Sequence, residues 1–332
     1  MKNKFFTVVI LAISIFLTGC TNGTQSNGEK IVLRFAYASN SQPVIDSMKE
    51  FGRLVEEKTK GEVTVTYYPD SQLGGEVELI ELTQTGAIDF TKVSASALEG
   101  FSKDYSIFSI PYLFDDENHF FAVMENEDIM SEIYLSTKDL GFKGITYYDS
   151  GQRSFYMKNG PINGVEDLKG KKIRVMQSET AIKMIKLLGG SPVPMGSGEV
   201  FTSLQAGLID GSENNEFVLY TAGHGAVAKY YSYDEHTRIP DIIIMSNSVE
   251  KKLSNDQLKA VQEAAYESTK FEKEIFKKAV EDEKNAATQK YNIIYNRVDN
   301  KEFQRVVKPL HDDYKNSEEY GELYLKIRSL AK

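Results

Sequence analysis

Two runs, DLKGKKIRV (Asp167–Val175) and GGSPVPMGSGEVFTSLQAGLIDGSENN (Gly189–Asn215), hold the features that decide the fold of this chain. The first run predicts a helix end, a glycine stop and a short strand. Because side chains alternate along a strand, Ile173 and Val175 share one face and Arg174 takes the other. A guanidinium on a rigid strand suits two-point recognition of a carboxylate. The spacing alone equally allows a solvated strand arginine.

These runs resemble the solute-binding subunits of tripartite ATP-independent periplasmic (TRAP) transporters. In that family a KxRV strand carries the arginine that binds the substrate carboxylate, and a SPxPM…EVxxxLQxGxxDGxEN run forms the wall of the second lobe. The matching residues here are Arg174, Ser191–Met195, Glu199, Val200, Leu204, Gln205, Gly207 and Asp210–Asn214. The match extends more loosely from about Ile31 to the C-terminus.

The N-terminus is typical of a bacterial lipoprotein signal. Lys2 and Lys4 precede an apolar run, Phe5–Leu17, which is too short to span a bilayer comfortably. The run ends in Leu-Thr-Gly before Cys20, so we expect a signal peptide over 1–19 and a lipid anchor on Cys20. An ordinary signal peptide with a chance cysteine is the alternative. Cys20 is the only cysteine, so an intramolecular disulfide is impossible.

Composition excludes some partners. Residues 20–30 are polar and glycine-containing, which predicts a flexible tether to a body long enough for two lobes. The chain of 332 residues has a net charge of −9, and loss of Lys2 and Lys4 makes it more acidic. This charge argues against binding nucleic acid or anionic lipid. An anionic ligand would need a local basic site.

The first third of the chain predicts a parallel sheet covered by helices, from a β-α-β-α-β pattern. The segments are Ile31–Ala38, Val44–Glu57, Glu62–Tyr68, Glu76–Thr85 and Ala87–Val93. Ligands of such sheets lie at the carboxyl ends of the strands. That rule puts Ser39–Gln42, Gly74–Glu76 and Ser94–Ser96 on one rim.

Two later features indicate how the lobes are joined. Ile239–Ser246 is a continuous apolar strand that we interpret as a hinge strand returning to the first lobe. Ser254 and Gln257 form a capping box that starts a helix of some 35 residues, to about Gln289. One narrow apolar seam on so long a helix fits a coiled coil or a spine across two lobes, and the resemblance favours the spine.

The resemblance implies an α/β, two-lobed, periplasmic-binding-protein-like (type II-like) fold with hinge strands and one long helix spanning both lobes. We expect lobe I to comprise 31–150 plus 240–279, and lobe II 151–239 plus 280–332.

Catalytic and metal motifs are missing from the sequence. It has no GxSxG elbow, no phosphate-binding GxxxxGK[ST] and no convincing carboxylate pair. The histidines lack the spacing of zinc ligands. We therefore predict no enzyme activity, no cofactor and no metal site. The four histidines are His119, His224, His236 and His311.

The resemblance also assigns binding residues. Arg174 would clamp the ligand carboxylate. Arg153 lies where the family often has a second arginine at the lobe crossing, with a structural ion pair as the alternative. Asn214 occupies the position of an asparagine that donates to the carboxylate, with an ordinary turn residue as the alternative.

The run Tyr230–Asp241, with its DEHxRxP core, is similar to family members that take sugar acids. His236 would contact a ligand hydroxyl, or else be a buried histidine holding the hinge. Glu76 would accept from a hydroxyl, or only complement a helix dipole. Asn40 and Ser94 are further rim candidates.

The predicted ligand is an organic acid, hexuronate-like or a keto-sugar acid, delivered to a membrane permease of two subunits. Gly196–Gly198 stand where many members have an aromatic residue, and Ser94 where the sialic-acid receptors have an acid. Both departures weaken a sialic-acid assignment. The alternatives are a C4-dicarboxylate receptor of the same fold, a binding protein of an ATP-driven importer, and a surface-anchored enzyme.

Overall fold

The computed structural model describes residues 30–38 and 41–331. Cys20, the signal and tether segments before Lys30, and Asn40 lie outside the described residues. The strands are β1 Ile31–Tyr37, β2 Val63–Tyr68, β3 Phe90–Ser94, β4 Phe142–Tyr148, β5 Gln152–Met157, β6 Lys172–Val175, β7 Ser191–Pro194, β8 Gly211–Asn214, β9 Tyr230–Arg238, β10 Asp241–Ser246 and β11 Ile294–Arg297. The α-helices are α1 Gln42–Lys58, α2 Glu76–Gln84, α3 Ala95–Leu98, α4 Glu117–Met124, α5 Glu127–Leu135, α6 Glu179–Leu187, α7 Val200–Ala206, α8 Val218–Thr221, α9 Val249–Lys252, α10 Asn255–Tyr291, α11 Lys301–Lys315 and α12 Gly321–Ser329.

Lobe I is built on a five-stranded sheet in the order β2-β1-β3-β10-β4. β1 pairs in parallel with both β2 and β3, which confirms the predicted β-α-β-α-β opening. Parallel strands need crossover connections, and α1 and α2 provide them. The predicted hinge strand, β10, enters this sheet antiparallel to β3 and β4.

Lobe II is built on a six-stranded sheet in the order β11-β9-β5-β8-β6-β7. The strand that carries Arg174, β6, lies between β7 and β8 and pairs with both in parallel. Arg174 therefore sits on an element hydrogen-bonded on both sides rather than on a loop.

The chain passes between the sheets where β4 leads into β5 and where β9 leads into β10. The first passage requires a glycine. Gly151 has φ +72°, and a Cβ there would lie 1.9 Å from Nδ2 of Asn215. Both the backbone conformation and the close approach exclude a side chain.

The long helix α10 spans both lobes, as predicted. Its capping box is formed, with both bonds between Ser254 and Gln257 present. Its 37 residues correspond to about 55 Å. The first half packs into the lobe I core through Val261 and its neighbours, and Phe276 already packs into lobe II.

The assignment of the whole C-terminus to lobe II was wrong for α12. α11 packs on lobe II through Phe303 and Val307. The chain then turns, and Leu323 and Ile327 of α12 are buried in the lobe I core. The apolar face of α12 packs against residues that are far away in the sequence. The tertiary structure was therefore needed to assign this helix to lobe I. No helix within 30–38 and 41–331 is long and apolar enough to span a membrane.

Candidate functional site

Arg174, on β6, is a buried cation. The residue is only 3% exposed, which rules out the solvated arginine. Its Nε and Nη2 donate to the carbonyl oxygen of Met195 at 3.1 and 2.8 Å. It forms no ion pair with any residue in the described part of the chain. Burial lowers the pKa of Arg174, although a guanidinium stays charged. Burying a charge of this kind costs free energy, and binding of an anion offsets that cost.

Arg153, on β5, is paired instead. Its Nε lies 2.6 Å from Oε2 of Glu213, and its Nη2 donates to Oε1 and to the backbone oxygen of Glu213, both at 2.9 Å. Burial opposes ionisation of Glu213, but Arg153 and His236 outweigh it and lower the pKa of that carboxyl to about 2. Arg153 was interpreted either as a second ligand-binding arginine or as part of a structural ion pair, and the structure contains the ion pair.

The same guanidinium orients Asn214. Nη1 of Arg153 donates to Oδ1 of Asn214 at 2.9 Å, and the backbone N–H of Asn215 donates to the same oxygen at 2.8 Å. Because an arginine only donates, the amide must present its oxygen here. The Nδ2 group has no partner among the described residues and remains available as a donor.

The lobe I wall carries a carboxylate, Glu76, at the first position of α2. Its Oε1 accepts from the backbone N–H of Ser94 at 2.9 Å and lies 4.0 Å from Nζ of Lys92. Lys92 is buried and pairs with Asp241 at 2.7 Å. The Glu76 side chain is 26% exposed, so it is not fully closed off from solvent. Burial raises the pKa of Glu76, against the pull of Lys92.

Ser94 lies at the junction of the lobes. Its hydroxyl accepts from the backbone N–H of Ser96 at 3.3 Å and donates across the gap to Sδ of Met176 at 3.4 Å. This contact places Glu76, which accepts from Ser94, and Arg174, two residues before Met176, on opposite sides of one junction. The site thus has a cation on one wall and a carboxylate on the other.

His236, for which we predicted a contact to a ligand hydroxyl or else a buried role holding the hinge, is buried in the structure. The residue is 1% exposed. Its Nδ1 lies 2.9 Å from Oδ2 of Asp234, and its Nε2 lies 3.4 Å from Oε2 of Glu213. Both nitrogens are taken by protein carboxylates, so neither is free for a ligand hydroxyl.

Sequence reasoning overlooked Glu213 and the pairing of Lys92 with Asp241. The only signal for Glu213 was its place beside Asn214 in the second run. In the described ranges, no cluster of His, Cys, Asp and Glu is arranged to hold a metal ion.

Two α/β lobes, with a buried arginine on one and a partly exposed carboxylate on the other, are typical of a solute-binding protein of the two-lobed type. The particular family follows from the sequence profile of the bacterial extracellular solute-binding proteins, family 7 (DctP), which matches residues 35–317. The chain belongs to this family, that of the TRAP receptors.

Individual relatives agree with this membership. A protein of Salmonella typhimurium, the uncharacterised YiiZ, is 51% identical over 92% of this chain and 93% of its own length. A TRAP periplasmic solute-binding protein of Anaerococcus prevotii, solved with bound α/β-D-glucuronate, is 38% identical at a TM-score of 0.87, covering 91% of this chain and 98% of that one. The corresponding protein of Xanthobacter autotrophicus, solved with β-D-galacturonate, is 32% identical at a TM-score of 0.85, covering 90% and 100%.

These findings confirm the TRAP resemblance, the two-lobed fold and the extracytoplasmic solute-binding role. They also confirm the prediction of a transport receptor rather than an enzyme. Membership of the TRAP family removes the alternative of a binding protein for an ATP-driven importer.

Proposed function

We propose that this protein captures a hexuronate and delivers it to a TRAP permease in the membrane. The observation that carries the proposal is the buried guanidinium of Arg174, which has no anionic partner among the described residues. The N–H groups that Met195 leaves free can take a ligand carboxylate through two parallel, charge-assisted bonds. The hexuronates bound by two similar TRAP receptors support this ligand class.

Asn214 completes the carboxylate site in this proposal. Arg153 fixes the amide oxygen, so Nδ2 is the group left to donate to the ligand. Arg153 itself acts mainly as a positioning residue because Glu213 takes most of its donors.

Glu76 provides the selectivity for a sugar acid. A carboxylate accepts hydrogen bonds from hydroxyls but repels a second carboxylate. The nearest cation to it on lobe I, Lys92, is committed to Asp241 at 2.7 Å. A ligand with one carboxylate and several hydroxyls can therefore bind Arg174 through its carboxylate and Glu76 through a hydroxyl. A dicarboxylate would place its second negative charge next to Glu76.

The deciding experiment is calorimetric titration of the mature protein with D-glucuronate, D-galacturonate, succinate and malate. We expect a uronate to bind and the dicarboxylates to bind weakly or not at all. Tight succinate or malate binding without uronate binding would favour the C4-dicarboxylate receptor.

We also propose that the mature chain is held at the membrane by lipid on Cys20. The apolar run that ends in Leu-Thr-Gly-Cys supports this. Metabolic labelling with a fatty acid should mark the wild type and not Cys20→Ala. Equal labelling of both would exclude the anchor.

A further inference from the structure

A buried charged cluster of lobe II lies beside the groups that we assign to the ligand. Asp234, His236 and Glu213 are 0%, 1% and 2% exposed. The imidazole ring also packs against the ring of Phe155, with centroids 4.6 Å apart. The cluster therefore has little access to water.

The donors and acceptors of this cluster fix the state of the ring. A neutral imidazole offers one donor and one acceptor, and an ionised carboxylate only accepts. His236 faces a carboxylate at each nitrogen, at 2.9 Å on the Asp234 side and 3.4 Å on the Glu213 side. Both contacts are favourable only when both nitrogens carry a proton. Burial opposes this charge, but Asp234 and Glu213 overcome it and raise the pKa of His236 to about 9.

Other elements hold the outer carboxylate in place. The backbone N–H of Phe155 donates to Oδ1 of Asp234 at 3.3 Å, and the hydroxyl of Tyr112 donates to Oδ2 at 3.3 Å. Asn300 reaches the backbone oxygen of Asp234 at 3.4 Å. The backbone N–H of Tyr112 also donates to the carbonyl of His236 at 2.6 Å. Burial and Asp234 raise the pKa of Tyr112, so that phenol stays a neutral donor.

The inner carboxylate leads to the ligand site. Oε2 of Glu213 is shared between His236 and Nε of Arg153, and Arg153 in turn donates to Asn214. A continuous row of charge-assisted contacts thus runs from Asp234 to the amide that we assign to the ligand carboxylate.

We propose that His236 is a positioning residue, an imidazolium that pins Glu213 and through it sets Arg153 and Asn214 for binding the ligand carboxylate. Without the second donor, Oε2 of Glu213 would keep only Arg153, and the guanidinium could swing with it. His236 would then govern affinity without touching the solute. The affinity part of this inference rests on the proposed uronate binding.

The first test compares His236→Gln with His311→Gln in titrations with D-glucuronate, at a temperature well below both unfolding midpoints. The amide of the first variant carries its donors on one nitrogen, so it cannot donate to both carboxylates as the imidazolium does. His311 is a matched control because its nitrogens bond neutral groups, Tyr324 at 2.9 Å and the carbonyl of Pro111 at 2.7 Å. We expect the first variant to lose affinity by about tenfold, the scale of one charge-assisted hydrogen bond, and the control to match the wild type. Affinity within twofold of wild type for His236→Gln would overturn the proposal, whatever its effect on stability.

A double-mutant cycle with Glu213→Gln tests the route. If His236 acts through Glu213, the double variant should lose no more affinity than the single variant with the larger loss. Additive losses would show an independent effect and overturn the positioning role.

A measurement without ligand separates this inference from the proposed function. Nuclear magnetic resonance of ring-labelled histidine in the wild type should show His236 still protonated on both nitrogens at pH 8. The rings of His224 and His311, whose pKa values burial lowers, should be neutral at that pH and serve as internal references. A neutral His236 ring at pH 8 would overturn the inference even if uronates bind. Absence of uronate binding by the wild type, with a charged His236 ring, would instead refute the proposed ligand alone.

Discussion

Replacing Arg174 with methionine should lower affinity sharply while sparing the unliganded protein. Methionine fills a similar volume and removes the charge. In the complex, the change removes the groups that pair with a buried carboxylate, which costs about 3–5 kcal/mol. That corresponds to roughly 10²- to 10⁴-fold in affinity.

The expected effect on the unliganded protein comes from the absence of an ion pair at Arg174 in the described structure. Only the two bonds to Met195 are lost, and removal of a desolvated charge offsets them. We expect the free energy of unfolding to stay the same or to rise.

Arg153→Met is the matched control, since both arginines are buried on lobe II strands, at 4% and 3% exposure. Here the change leaves Glu213 buried and unpaired by arginine, so the unliganded protein should lose about 3–5 kcal/mol of stability. Calorimetry with D-glucuronate and urea unfolding without ligand measure both effects. Near-normal affinity in Arg174→Met would refute the clamp. Equal destabilisation by the two changes would refute the distinction between a free and a paired cation.

Three further predictions concern selectivity, pH and the lobe crossing. Glu76→Gln should lower the affinity for D-glucuronate by about tenfold, because one charge-assisted hydrogen bond is lost. The same change should raise the affinity for D-glucarate, which has a second carboxylate. Equal losses of affinity for both ligands in calorimetry would show that Glu76 does not determine selectivity. His236 has its pKa raised from 6.5 to about 9, so its contribution to stability is complete below pH 6.5 and is lost as pH rises through 9. The stability difference between wild type and His236→Gln in urea should therefore shrink by up to about 3 kcal/mol over that window, and a constant difference would contradict it. Gly151→Ala should destabilise the protein more than Gly170→Ala. Both glycines have positive φ, +72° and +71°, but of the two only Gly151 has another group within reach of an added Cβ, Nδ2 of Asn215 at 1.9 Å. Equal midpoints of thermal unfolding for the two variants would count against the close contact.

The parts of the molecule that the sequence predicts well have short-range causes. The alternation around Val63–Tyr68 indicated a strand, and the capping box at Ser254 marked the start of the long helix. Each depends on residues within a few positions of one another. The family-like runs around Arg174 likewise pointed to a buried arginine on a strand, and its 3% exposure agrees.

The parts that the sequence left open depend on charges from distant segments. Whether Arg153 was free or paired depended on Glu213, which comes from another strand. Lys92 found Asp241 only because β10 returns to lobe I beside β3. Charges interact strongly in the low-dielectric interior of a protein. The ion pairs that form there therefore decide which charged groups remain available to bind a ligand.

By itself, then, the sequence determined the receptor class, the two α/β lobes, the connecting helix and the arginine on β6. Only the tertiary structure decided that Arg174 is a buried cation left without an anion in the described chain, that His236 faces inward, and that α12 returns to lobe I. The physical reason is the same in each case. Local patterns specify strands and helices, but partners for buried charges and apolar faces are chosen by the assembled fold.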